Sequence, residues 1–240
     1  MGGRRYAAVV PDRSPAARRR STGWPTALGR VAELLQRVAE GTPPPADGLV
    51  EVVPQPPGPV AAVLAFDHHH VVAADVDPAW VHARLAPGDL SAPMQVDFLG
   101  ALAEELGRTW DNLDAVFVGR GEPSEVELPL EQVEPDHAHP RVARAHAYRL
   151  APAVFETPGG AGLLVIGQGL AGRWEAAFEV APEHRGRGLG RRLVRAARRL
   201  VPPGEPVFLQ VAPGNVSSTR AVLAAGGFVP IGAEVLLPDP

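Results

Sequence analysis

The chain has no cysteine and no lysine, and only two tyrosines, in 240 residues. Without cysteine, neither a disulfide framework nor a zinc-thiolate site can form, and nothing points to an oxidising compartment. A cytoplasmic location is the expectation. No stretch approaches the ~18 consecutive apolar residues that a membrane-spanning helix needs. The apolar run at 6–10, after the first arginines, is too short for the core of a signal peptide. The chain therefore reads as soluble and unsecreted, with no membrane partner. Its net charge of -4 and pI near 6.1 argue against a surface that coats nucleic acid, so any basic site has to be local. What is abundant is arginine, which supplies all 23 basic residues, with 27 prolines and 26 glycines. That bias reads as GC-rich codon usage. At 45% hydrophobic residues, the chain can bury the core of one large domain or two small ones.

Composition divides the sequence into three parts. Residues 1–57 alternate basic, proline-rich and alanine-rich pieces around one helix, in which Leu28, Val31, Leu34, Leu35 and Val38 recur at helical spacing. Residues 58–134 read as an α/β region. It holds a hairpin turning at Asp67 and His68, a helix begun by Asp77 and Pro78, a second helix from Met94 to Arg108, and the strand DAVFVG. The proline-bearing acidic text between Glu122 and Pro140 marks a boundary. Residues 141–240 are more regular. Arg141 to Thr157 and the GLLVIGQ run read as strands around a turn at Pro158 to Gly160. They precede the strand RWEAAFEV, a helix opening at Gly188, the strand PVFLQVA, a helix after Asn215, and a last strand or strand pair. Strands alternating with helices imply an α/β layered fold.

The stretch EHRGRGLGRRLVRAARRL concentrates the chemistry. Gly186, Gly188 and Gly190 fall where a strand has ended and a helix begins. Backbone without side chains can approach a ligand closely there, and the first helical turn offers unpaired N–H groups with a partial positive charge. Arg185 and Arg187 flank the turn, and guanidinium groups can hold phosphate oxygens bidentately. The Rossmann fingerprint fails because the spacing is GxGxG, and the P-loop fails because there is no lysine. The basic helix that follows carries an apolar stripe of Leu189, Leu193, Ala196, Ala197 and Leu200. It reads as a helix on a sheet with a solvated arginine face, not as a nucleic-acid surface.

A third pattern fits. Arg185, Gly188 and Gly190 form RxxGxG between strand and helix, and this closely resembles the acyl-CoA pyrophosphate loop of the GNAT N-acetyltransferase superfamily. A second signature lies in the right order, with Asn215, Ser218, Arg220 and Phe228, and has one extra residue before the Phe. The resemblance covers residues 141–240. It implies a mixed twisted β-sheet flanked by helices, with the N-terminal part either an α/β extension or a degenerate GNAT-like half. It also implies acetyl-CoA or another acyl-CoA as the cofactor. Phe178, Glu179 and Val180 would offer backbone to pantetheine. Arg185, Gly186, Arg187, Gly188, Leu189, Gly190 and Arg191 would hold the pyrophosphate, and Asn215 would lie near the cofactor arm. The acceptor would be a small-molecule or peptide amine that attacks the thioester directly, and a homodimer is a further expectation.

Catalytic assignments are sparser. Glu175 and Glu179 share one face of the strand before the loop, where a carboxylate can serve as general base. The competing reading has them face solvent or an arginine such as Arg173. Many GNAT members place a tyrosine acid on the helix after Asn215. Here Val222 and Leu223 occupy the matching places, and Tyr148, on an earlier segment, reads as a packing residue. The alternative is thus a catalytically weak or inactive CoA-binding regulatory protein of the same fold. Successive residues of a strand point in alternating directions, so His68, His69 and His70 cannot converge on one tetrahedral ion. No metal site is expected from them, nor from His137 and His139.

Overall fold

The computed structural model describes residues 29–110, 112–123 and 127–240. The basic N-terminal stretch, and the residues from Pro25 to Leu28 read as opening the first helix, lie outside the described residues. Among the described residues a ten-stranded sheet runs through the molecule, in the order β1 (Val50–Val53), β3 (His69–Ala73), β2 (Val60–Phe66), β10 (Phe228–Pro238), β4 (Leu113–Arg120), β9 (Pro206–Val211), β8 (Trp174–Val180), β7 (Gly162–Gln168), β6 (Leu150–Glu156) and β5 (Glu131–Val133).

The first half supplies α1 (Gly29–Ala39), β1 (Val50–Val53), β2 (Val60–Phe66), β3 (His69–Ala73), α2 (Pro78–His82), α3 (Val96–Leu106) and β4 (Leu113–Arg120). β2 and β3 form the antiparallel hairpin read from the sequence, with His68 in the left-handed region (φ 55°) at its turn. β1, hemmed by prolines that cannot donate to a ladder, is the sheet edge among the described residues and pairs there with β3. Asp77 caps α2 by accepting from the Ala79 N–H at 2.8 Å.

The second half supplies β5 (Glu131–Val133), α4 (Pro140–Tyr148), β6 (Leu150–Glu156), β7 (Gly162–Gln168), β8 (Trp174–Val180), α5 (Leu189–Leu200), β9 (Pro206–Val211), α6 (Val216–Ala225) and β10 (Phe228–Pro238). α4 corrects the sequence reading, which has a strand begin at Arg141. Its text alternates apolar and polar residues over a few positions and so fits either period. Pro140 at the first helical position and His139, whose Nδ1 accepts from the Arg141 N–H at 3.2 Å, decide for a helix. Val142, Ala145 and Tyr148 are its buried side.

Each inner strand feeds two cores, which is why these strands read as continuous apolar runs. On one face, α1 packs Leu34 and Leu35 against Ala62, Leu64, Val116, Val118 and Leu236, while α4 packs Val142 and Ala145 on Val154, Leu163 and Val165. On the other, α3 covers Val63, Val72 and Val235, and α5 with α6 covers Leu164, Ile166, Leu209 and Val211. β4, from the first half, is antiparallel to both β10 and β9 and lies between them, so the halves share one sheet.

An ion network crosses the α1/α4 face. Arg173 is fully buried; its Nε donates to Glu175 at 2.8 Å and its Nη2 to Glu234. The Arg149 Nε donates to the other Glu175 oxygen at 3.0 Å. Burial alone would depress the Arg173 pKa, but the two carboxylates outweigh it and raise it.

Candidate functional site

β8 and β9 are parallel, and they pair only over Trp174↔Val207, Glu175↔Phe208 and Ala176↔Leu209. Beyond Ala176, β8 stays bonded to β7 as far as the Val180↔Gly162 pair. β9 meanwhile stays bonded to β4 as far as Val211↔Ala115. Each strand is held by its outer neighbour, so the two diverge. Among the described residues, the β9-facing edge of β8 from Ala177 to Val180 has no strand partner, and apart from the Val180 carbonyl, which Arg185 takes, its backbone is available to a ligand.

α5 begins at this opening. Its N-cap is Gly188, with no side-chain cap bond and no acidic residue in the first turn. The orphan N–H groups and the positive end of the helix dipole are thus left to a ligand, the usual arrangement for binding an anion. Gly186 (φ 74°) and Gly188 (φ 80°) both hold left-handed backbone, and a Cβ at Gly186 would meet nothing within 4 Å. Gly190 differs from both: a Cβ there would stand 3.4 Å from the Phe178 ring and 3.5 Å from Ala221, at ordinary contact distance, so this position packs closely between α5, β8 and α6. The Arg185 Nε donates to the Val180 carbonyl at 3.0 Å, which folds the loop back on the end of β8.

Two cavities meet here. The larger, of about 780 Å³, is lined by every residue that the sequence assigned to the cofactor: Phe178, Glu179 and Val180 from β8, Arg185 to Arg191 from the loop and first turn, and Asn215 from the start of α6. The smaller, of about 200 Å³, lies at the open side of the β8/β9 fork and shares Arg141, Phe178, Asn215 and Ser218 with the first. Asn215 acts locally as the N-cap of α6, accepting from the Ser218 N–H at 3.1 Å.

The two carboxylates proposed from sequence separate in character. Glu175 is buried, and its oxygens are taken by Arg173, Arg149 and the Leu170 N–H at 3.3 Å. Burial alone would raise its carboxyl, but the two guanidinium groups outweigh this and hold it below the ordinary range. A carboxylate so engaged is a poor proton acceptor. Glu179 pairs with Arg141 at 3.0 Å at the rim of the larger cavity. The arginine face of α5 is also less solvated than its text implies. The Arg195 Nε donates to the Ala225 carbonyl and the Arg198 Nε to the Arg120 carbonyl, each at 2.9 Å, tying α5 to α6 and β4.

The sequence reading missed the walls of the smaller chamber. Asp114 of β4, with Arg144, Tyr148 and Arg149 from α4 and the residue after it, lines it beside Glu175. The Arg144 guanidinium lies 4.3 Å from the Tyr148 ring centroid and 4.0 Å from the Asp114 carboxylate. Burial, reinforced by the Glu234 carboxylate, pushes the Asp114 carboxyl up to about 6. The available signal was a lone carboxylate in the otherwise apolar strand text DAVFVG. The histidines are ordinary by comparison: the His69 Nδ1 lies 2.9 Å from Asp47, and burial lowers the pKa of His70. Among the described residues no cluster of three or more His, Cys, Asp or Glu is placed to hold a metal ion, and no helix is long and apolar enough to cross a membrane.

Residues 176–232, which include the forked end of β8, the glycine loop and α6, match the family described as FR47-like protein. The RxxGxG loop and the open side of the fork both lie within this matched stretch. The chain is similar to mycothiol acetyltransferase from Tsukamurella paurometabola, 41% identical over 80 residues, which are 33% of this chain and 26% of that protein. The matched stretch thus spans about a quarter of that relative. Among solved structures, a GNAT-family acetyltransferase from Colwellia psychrerythraea aligns over 60% of this chain and 63% of its own at 13% identity, with a TM-score of 0.38. A putative GNAT-family acetyltransferase from Novosphingobium aromaticivorans aligns over 56% and 68% at 18% identity, with a TM-score of 0.39.

Proposed function

We propose that the protein is an N-acetyltransferase that takes an acetyl group from acetyl-CoA, or the acyl group of another acyl-CoA, and passes it to the amine of a small acceptor. The observation that carries this reading is the meeting of the two cavities at Phe178 and Asn215, where the β8/β9 fork opens. The larger cavity, about 780 Å³, is of the size that holds a cofactor-sized ligand. Its residues suit a CoA phosphate arm: uncapped N–H groups at α5, with Arg185, Arg187 and Arg191 around them. The unpaired edge of β8 suits the pantetheine amides, and its N–H groups suit an oxygen that gains charge during transfer. The thioester supplies the activated acetyl group. The chain holds donor and acceptor on either side of one junction, which converts a bimolecular encounter into a positioned reaction. In this reading Glu175 is a positioning residue that locks Arg149 and Arg173, and Glu179 shapes the rim through Arg141.

Isothermal titration with CoA, together with thiol release from acetyl-CoA in the presence of primary amines, tests the assignment. Gly188→Val is expected to weaken CoA binding at least tenfold, because a β-branched residue resists the left-handed backbone the loop requires. A wild-type protein without measurable CoA affinity would falsify the reading. The second reading is a CoA-binding regulatory protein. It is favoured by one observation, that α6 carries buried Val222 and exposed Leu223 where a tyrosine acid is common in the superfamily. Tight CoA binding with no amine-dependent thiol release decides for it.

A further inference from the structure

The smaller chamber is built from both halves of the chain. α4, β8, β9 and α6 supply most of its wall, and β4 contributes Asp114 from the first half. Ladder register fixes where that carboxylate stands. The last β4/β9 pair is Ala115↔Val211, so Asp114 lies one residue further along, at the level of Ala212. β8 left β9 after Ala176↔Leu209, so Asp114 is beside the open part of the fork. Its residue exposure is only 8%, yet it lines the chamber. The groups facing it are Glu234, its direct cross-strand partner on β10, and Arg144 and Tyr148 from α4. Arg149 and Glu175 lie further along the same wall, already paired with each other.

We propose that Asp114 seats the ammonium of a small primary amine in this chamber and takes its proton, so that the first half of the chain supplies the general base for a reaction whose donor is held by the second half. The inference rests on the acetyltransferase reading above. Three features carry it. Asp114 is the chamber carboxylate with no close guanidinium bond, since Arg144 stands 4.0 Å away, whereas Glu175 is held at 2.8 and 3.0 Å by two arginines. Glu234 opposite it disfavours a second negative charge and so favours a carboxylate that accepts a proton readily near neutrality. A chamber of about 200 Å³ limits the acceptor, or the part of it that enters, to roughly ten non-hydrogen atoms.

The step balances. The ammonium gives one proton to the Asp114 carboxylate. The neutral amine forms an N–C bond to the acetyl carbon while the C–S bond breaks, and the second proton lost from nitrogen leaves with the thiol. Asp114 returns its proton to solvent, so the products are amide, thiol and one proton.

The test compares wild type with Asp114→Asn and Asp114→Ser in the full chain. Acetyl-CoA is the donor, and the acceptors are ethanolamine, cadaverine and tyramine, with hydroxylamine, which is already neutral at pH 7.5, as the control nucleophile. Both variants should bind CoA as the wild type does, which also reports that they are folded. They should lose about 100-fold in kcat/KM with at least one alkylamine and less than threefold with hydroxylamine. The acid limb of the wild-type profile should disappear. Without any donor present, calorimetry should show the alkylammonium bound at least tenfold more weakly. Equal losses with all nucleophiles, or no loss with any, overturn the role of Asp114 while leaving the acetyltransferase reading intact. Wild-type CoA binding with none of the amines acetylated overturns the small-amine assignment. No CoA binding by wild type overturns both.

Discussion

Asp114 and Glu234 stand directly opposite each other on adjoining antiparallel strands, two carboxylates facing one another in the centre of the sheet. Glu234 is compensated by Arg173, whereas Asp114 has Arg144 only at 4.0 Å. The Asp114 carboxyl is raised in the folded protein, from 3.8 to about 6. A carboxyl raised on folding favours the native state while protonated, and that contribution is lost as pH climbs through the interval from about 4 to about 6. Asp114→Asn should therefore be more stable than wild type above pH 6, by on the order of 2 kcal/mol, with the difference shrinking toward pH 4. Urea unfolding at pH 4.5 and pH 8 checks this; a variant less stable at pH 8 contradicts it.

Arg173 should be the most costly single charge to remove. Arg173→Leu leaves Glu175 and Glu234 buried without their shared cation, and is expected to cost about 3–5 kcal/mol at pH 7. The penalty should shrink at low pH, where both carboxylates can protonate. Chemical denaturation across pH measures it, and a loss below about 1 kcal/mol would mean that the network is not the keystone of this face.

Gly190 separates packing from loop conformation. In Gly190→Val a Cβ would already be in ordinary contact with the Phe178 ring at 3.4 Å and Ala221 at 3.5 Å, so the two further methyls are expected to crowd α5 against β8. The expectation is a loss of about 1–3 kcal/mol in stability together with weaker CoA binding. Retention of both in a melting curve and a CoA titration would show that α5 has slack at this point.

The two glutamates of β8 should diverge on amidation. Glu175→Gln removes the buried partner of two arginines and should cost about 3 kcal/mol or more. Glu179→Gln loses a half-exposed pair with Arg141 and should cost less than about 1 kcal/mol, with acetyl transfer changed less than threefold. Paired unfolding and thiol-release assays read both. A large loss of rate in Glu179→Gln with stability intact would return the base to the rim of the cleft.

Legibility of the sequence followed the range of the interactions. The loop was readable because three glycines, an arginine and a following apolar stripe are all local, and the hairpin at Asp67 and His68 because two apolar runs flank a short polar break. α2 announced itself through Asp77 and Pro78. α4 did not, because its short run alternates as well as it turns, and only Pro140 and the His139 cap separate the two. The sequence reading offers Glu175 as a general-base candidate, and the structure shows its oxygens engaged by arginines. Its arginine partners come from Arg149 across a hairpin and Arg173 two residues away, so the ion network that engages it is mostly long-range. Asp114 stood out locally only as a lone carboxylate in an apolar strand; its surroundings were hidden, because it is 61 residues before Glu175 and 120 before Glu234, and nothing in a linear text places those three side chains on one face.

The position of β4 also bears on how the chain reaches its native state. β4 leaves the ribosome well before β9 and β10, yet its two neighbours in the sheet are those two late strands. Until they arrive, its apolar text has no lateral partner, and closing that gap brings together segments separated by most of the second half. Such non-local pairing slows folding and leaves open edges exposed in the interval. A fragment begun after β4 would keep a vacancy in mid-sheet between β9 and β10, so refolding of the whole chain should be slow and sensitive to protein concentration.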